Sequence, residues 1–259
     1  MKVSGSIAEG IYRIALYSLN GLYLSYIVLA TVSYYLFAFP LIILTFMVFQ
    51  GRRLDDAMRC SNRLYGSLLV RISWPLIRIK CEGRKNINDN LPCVIIVNHR
   101  STADIFLSAF FTPGNTAVFV RSWPFKLWFI GWFMRRAGYI DVEKMSPNTF
   151  FKEEGRELSE RGVTFLFFPE GHRSRDGRLQ PFRSGAFMTA IEFNMPVVPV
   201  CMTGTEKFLP MNDHVIRPAR IKIDILPAVH PSSFPEERRA VKLKKYVESL
   251  VRERLNEPS

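Results

Sequence analysis

Between Arg13 and Arg52 the chain carries no Asp, Glu, Lys or Arg, and residues 22–49 read LYLSYIVLATVSYYLFAFPLIILTFMVF. As one helix rising ~1.5 Å per residue, that run is about 42 Å long, more than the ~30 Å hydrocarbon core of a bilayer. Pro40 lies inside it and predicts either a kink in a single tilted span or the bend of a re-entrant hairpin. The run is too long for the apolar region of a signal peptide, and no small-residue cleavage site follows it.

From residue 76 the pattern changes. Short apolar runs bounded by Gly, Pro or Asn predict buried strands at 76–81, 93–97, 116–120, 139–142, 163–168, 197–202 and 220–226. Helical stretches alternate with them. Ser122-Trp123-Pro124 and Ser146-Pro147 read as capped helix starts, and Pro235 as the opening of a last, heavily charged helix. Strands alternating with helices imply an α/β fold, a central and largely parallel sheet flanked by helices. Residues 1–75 then form a helical membrane anchor, single span or hairpin, and residues 76–259 the α/β domain. Residues 122–136, SWPFKLWFIGWFMRR, interleave aromatic and basic residues. That pattern suits a membrane interface as well as an amphipathic helix laid on the sheet.

Composition narrows the partners. The formal net charge is +12 over 259 residues, which favours anionic surfaces or phosphorylated ligands. Arg52, Arg53, Arg59 and Arg63 follow the apolar run at once, against Lys2 and Arg13 before it. By the positive-inside tendency the C-terminal part stays on the cytoplasmic face, its charge turned to anionic lipid and not to nucleic acid. Cys60, Cys81, Cys93 and Cys201 are scattered and the four histidines are unpaired. Free thiols and no metal site are expected.

The candidate chemistry sits at predicted strand tips. Val94-Ile95-Ile96-Val97 runs into Asn98-His99-Arg100-Ser101-Thr102-Ala103-Asp104, placing His99 at a strand end and Asp104 in the first turn of the next helix. A carboxylate five residues on can turn back to one imidazole nitrogen, fix its tautomer and leave the other as a base. Alone, such a pair is also what a helix N-terminus with a bystander histidine looks like. A second tip, Phe168-Pro169-Glu170-Gly171-His172-Arg173-Ser174, supplies a carboxylate, a glycine permitting close backbone approach and a guanidinium able to grip phosphate through two hydrogen bonds. Glu170 is placed either on a substrate hydroxyl or on Arg173. Arg175-Asp176-Gly177 reads as a polar turn.

These blocks resemble the glycerolipid acyltransferases typified by the 1-acyl-sn-glycerol-3-phosphate acyltransferases. Asn98, His99, Ser101 and Asp104 match the first family block, and Phe168, Pro169, Glu170, Gly171, Arg173 and Ser174 the third. Gly138-Tyr139-Ile140-Asp141-Val142-Glu143-Lys144 resembles the second, and Val198-Pro199-Val200 the fourth. The resemblance implies His99 as general base and Asp104 as its orienting partner. It places Glu170, Gly171, Arg173, Lys144, Arg183 and Ser101 around the acceptor. Acyl-CoA or acyl-carrier protein would be co-substrate, with no cofactor and no acyl-enzyme, and lysophosphatidic acid would become phosphatidic acid in phospholipid synthesis. The missing G-x-S-x-G elbow agrees with direct transfer. Lys144 stands where the family usually has Arg, Glu143 where it has Asp, His172 for Thr, and Arg183 where Lys is common. A headgroup-bearing lysophospholipid or another lysolipid is therefore the alternative acceptor. A non-catalytic lipid binder would not need the base, and a thioesterase would have little purpose for Lys144, Arg173 and Arg183.

Overall fold

The computed structural model describes residues 3–174, 177–210 and 215–257, with side chains from residue 9 onward. Arg175 and Asp176 of the expected turn, and His214, lie outside the described residues. Seven strands form one sheet: β1 (Ile77–Glu82), β2 (Val94–Val97), β3 (Thr116–Val120), β4 (Ile140–Asp141), β5 (Thr164–Phe167), β6 (Val197–Thr203) and β7 (Ala219–Ile225). Their order is β1-β7-β6-β2-β5-β3-β4. The five strands from β6 to β4 run parallel. β7 pairs antiparallel with β6 and parallel with β1, so the β1–β7 edge runs the opposite way.

The residue pattern explains each strand's place. VIIV in β2 and TFLF in β5 are buried throughout, as central strands covered on both faces must be. β1 alternates buried and exposed positions, which suits an edge. Alternation along β2 divides the core in two. Val94 and Ile96 join Phe165, Phe187, Leu243 and Val247 on one face, while Ile95 and Val97 join Leu107, Leu166 and Val198 on the other. His99 and Glu170 thus emerge above the carboxyl ends of adjacent strands, where parallel sheets place ligands.

The N-terminal run is a single rod. α1 (Val3–Ser33) passes through a π-helical turn, Tyr34–Ala38, into α2 (Phe39–Gln50). Pro40 occupies the first turn of α2, where it lacks only a donor, so the bend at Pro40 that a hairpin would need is not adopted. The chain reverses later, at Gly51 (φ 61°), into α3 (Leu54–Ile72). Glu9–Gln50 is long and apolar enough to cross a membrane; its most apolar 18-residue window has a mean hydropathy of 2.3 and is almost unburied. The rod is nonetheless fastened along its length. Asn20 exchanges two hydrogen bonds with the backbone of Ile216 (2.7 and 3.0 Å), Tyr23 meets Ser73 (2.7 Å), and Tyr34 bonds Ser61 (2.6 Å to its hydroxyl).

Three other elements depart from the expected pattern. The last helix begins at Arg239, because Arg238 adopts φ 55°, a left-handed conformation that ends the turn opened at Pro235. Residues 122–136 break into Ser122–Phe125 and Trp128–Arg136 at an extended Leu127. Ser122 and Ser146 make no capping bond; the Ser122 hydroxyl goes to Asp141 (2.7 Å). The basic cluster after the apolar rod is also divided. Arg59 is fully buried, bonded to Asp55, Asp56, Asn115 and the Ala137 carbonyl, so it neutralises internal carboxylates and faces no lipid. All four cysteines are free thiols.

Candidate active site

β2 ends at Val97, and Asn98 locks its exit. The Asn98 side chain donates to Met202 O (2.9 Å) and accepts from Met202 N (2.6 Å), tying the end of β2 to β6. The next residue, His99, is held by its backbone from both sides. Its N–H donates to Glu170 Oε1 (2.6 Å), and its carbonyl accepts from Ser174 N (2.9 Å). Two groups from the turn after β5 therefore set the main chain of the histidine.

The imidazole is set by Asp104. Nδ1 lies 2.9 Å from Asp104 Oδ2, and the same oxygen accepts from Arg100 N (2.7 Å) and Ser101 N (2.8 Å). The Asp104 side chain is fully buried, whereas that of His99 keeps about a fifth of its surface exposed. Two backbone donors aim the carboxylate independently of the histidine. Because a carboxylate only accepts, Nδ1 carries the proton and Nε2 is left as the basic nitrogen. The ring of Phe168 lies 4.4 Å from the imidazole, centroid to centroid, and forms its apolar wall.

Glu170 takes neither place expected for it. It is 2% exposed, and its second oxygen accepts from Gln180 N (2.8 Å), so both oxygens hold backbone instead of a hydroxyl or Arg173. Burial pushes its pKa up to about 7 against the pull of those two bonds. Ser101 is likewise fully buried, donating to Leu209 O (2.8 Å) and accepting from Ala103 N, and its hydroxyl is engaged inside the loop.

The cationic residues lie further out. Arg173 donates to the Thr102 hydroxyl in the histidine loop. Gly171 (φ 75°) sits under Arg183: a Cβ there would come within 2.6 Å of the Arg183 Nε. Any side chain at 171 would meet both that clash and an unfavourable backbone. Arg183 and His172 are exposed. Lys144 is exposed beyond β4, three strands from β2 and about 14 Å away across the sheet at ~4.8 Å per strand. It is not gathered with His99. Its neighbour Glu143 is bound by Arg121 (2.6 Å), which lowers its pKa. Two grooves, one along Leu91, Pro92 and Phe193 and one along Arg53, Arg136 and Arg161, lie away from His99.

This geometry has relatives. A family model described as Acyltransferase matches residues 78–203. A 1-acyl-sn-glycerol-3-phosphate acyltransferase of Pseudomonas aeruginosa is 31% identical over 71% of this chain and 71% of that protein. The chain belongs to this acyltransferase family. Chloroplastic members from Brassica napus and Arabidopsis thaliana are 34% and 30% identical over 57% and 69% of the chain, which spans about half their length, 43% and 51%. The crystal structure of the 1-acyl-sn-glycerophosphate (LPA) acyltransferase from Thermotoga maritima superposes with a TM-score of 0.71 at 25% identity, covering 93% of this chain and 96% of that one.

Beyond the acyltransferase blocks, one contact had no sequence signal. Glu257, just past the last helix, bonds the Arg100 guanidinium and the backbone N–H of Leu179 (2.5 Å). It lies 157 residues from Arg100, and a glutamate after a charged helix reads as ordinary solvated surface.

Proposed function

We propose that the protein transfers a fatty acyl group from a thioester to the free hydroxyl of lysophosphatidic acid at a membrane surface, giving phosphatidic acid. The observation that carries the reading is the His99 Nδ1–Asp104 Oδ2 bond of 2.9 Å at a strand end. In this mechanism Nε2 takes the acceptor proton as the hydroxyl oxygen attacks the thioester carbon. The imidazolium is balanced by Asp104. Collapse of the tetrahedral adduct breaks the C–S bond, sulfur keeps the electron pair, and the proton on Nε2 passes to it. A thioester is activated enough that no enzyme nucleophile is required. Arg173 is assigned the acceptor phosphate, with Arg183 beside it. Lys144 is assigned a more distant anionic group, since it lies across the sheet.

The rod Glu9–Gln50 supports membrane attachment, with the α/β domain on the cytoplasmic side of the arginines that follow it. Acyl-CoA or acyl-carrier protein serves as donor. The test is a panel: purified enzyme with each donor, against lysophosphatidic acid and headgroup-bearing lysophospholipids in mixed micelles. Preference for lysophosphatidic acid, lost in His99→Ala, is the expected result. Undiminished transfer in that variant would overturn the mechanism, and a preference for another lysolipid would replace the acceptor.

A further inference from the structure

The segment between β3 and β4 turns a rigid corner. The helices Ser122–Phe125 and Trp128–Arg136 meet at Lys126 and Leu127. Arg135 donates to Phe125 O (2.9 Å) across the corner, and Gly131 N donates to Leu127 O (2.6 Å). A Cβ on Gly131 would lie 2.0 Å from the Phe125 carbonyl oxygen, so the two helices touch backbone to backbone. One side of the second helix is packed. Phe133 and Met134 are buried, and Phe129 and Phe133 lie against Tyr35 and Phe39 of the N-terminal rod.

The other side is bare. Trp128 is 90% exposed and Trp123 61%, with Leu127, Ile130 and Trp132 also open. Because the corner is held, the backbone fixes the side from which these rings project. The rod against which this helix packs also exposes large apolar side chains, among them Leu36, Phe37 and Leu41. Large contiguous apolar patches on a folded domain mark a partner. The charge around this one selects which. Residues 121–136 contain four basic residues (Arg121, Lys126, Arg135 and Arg136) and no acidic one, and Arg53, just past the rod, shares a groove with Arg135 and Arg136. Tryptophan rimmed by arginine and lysine is the signature of an anionic lipid interface.

We propose that this corner is a second lipid-inserted element, seating Trp128 and its neighbours in the leaflet that holds the rod. The proposal rests on the membrane reading of α1 and α2. It brings the β4 edge, with Gly138 and Lys144, against the headgroups, so that an acyl-bearing acceptor enters sideways from the leaflet.

The test uses the full chain carrying Trp128 as its only tryptophan (Trp74, Trp123 and Trp132 each→Phe). It is mixed with phosphatidylglycerol–phosphatidylcholine vesicles whose acyl chains are brominated. Flotation with the vesicles and quenching of Trp128 emission by about twofold or more are expected. Flotation without quenching would overturn the corner alone, and no flotation would overturn the membrane reading with it. Trp128 emission that shifts to the blue with protein concentration in detergent, without lipid, would assign the patch to a second copy and overturn the proposal. Trp128→Ser with Trp132→Ser covers any loss of fold in the first variant. It should still float, lose about tenfold activity on vesicle-borne acceptor and stay within about twofold on a micellar short-chain one. Equal activity on both would overturn the proposal.

Discussion

His99 and the cations assigned to the acceptor are built differently. At His99, main-chain N–H and C=O, Nδ1 and the ring face all have partners within the protein, and the carboxylate behind it is fully buried. Lys144, His172 and Arg183 are exposed, and Arg173 reaches the histidine loop through the Thr102 hydroxyl. Proton transfer fails when a base is misplaced by a fraction of an ångström, so it needs the over-determined side. Phosphate binding tolerates long, hydrated cations that settle on the ligand as it arrives. The rate is therefore expected to reside in the first region and acceptor choice in the second.

Substitutions can break that division, and they rank by expected effect. His99→Ala should lower kcat by about 10³-fold, measured under saturating acceptor. Asp104→Asn keeps the shape but presents an amide to Nδ1 and should cost about 10²-fold in kcat. Arg173→Ala should act the other way, raising KM for lysophosphatidic acid about tenfold with kcat nearly intact. If it instead lowered kcat alone, the division would be wrong. Lys144→Ala should change KM by only about threefold, as expected of a distant, exposed charge.

Glu170 sharpens the same contrast through pH. Its folded pKa, about 7, lies above the ordinary glutamate value of 4.5 because the carboxyl is buried. The folded protein therefore holds this proton more tightly than the unfolded chain. The resulting stabilisation is full below pH ~4.5 and is lost as pH rises through ~7. Glu170→Gln should remove that fall, which amounts to about 3 kcal/mol at most, and flatten the denaturation midpoint across the window. A wild-type midpoint with no slope between those pH values would show that the two backbone bonds outweigh burial.

Much of the fold was legible in sequence. All seven strands appear within one or two residues of their apolar runs, because central strands buried on both faces leave little room for polar residues. Strand direction was not legible. β7 reads ARIKIDI, and its alternation of apolar and charged residues marks a partly exposed strand without telling which way it runs against β6. In the site, the His99–Asp104 pair is local and could be read from a spacing of five. The bond from His99 N–H to Glu170 spans 71 residues, so the sequence could suggest that Glu170 matters but not that it holds backbone. Lys144 fits the family block by position, yet its distance from His99 follows from sheet order, which no motif records.

The Glu257 contact has a consequence in time. A chain is synthesised from its N-terminus, so residues 9–50 can enter a bilayer while the last helix is still unmade. Arg100, beside the base, is mostly buried and gains its ion pair with Glu257 when that residue is made. Until then the guanidinium lacks its directly bonded carboxylate and is left with the longer-range attraction of Glu170. A polypeptide halted before Glu257 would have the histidine in place but its surroundings unfinished. Glu257→Ala tests this dependence directly, with an expected fall of about tenfold in kcat. Arg254→Ala, which cuts the 3.0 Å bond from the same helix to Asp224, is the matched control and should cost stability without that fall. The last helix thus completes the surroundings of a histidine that lies far earlier in the chain.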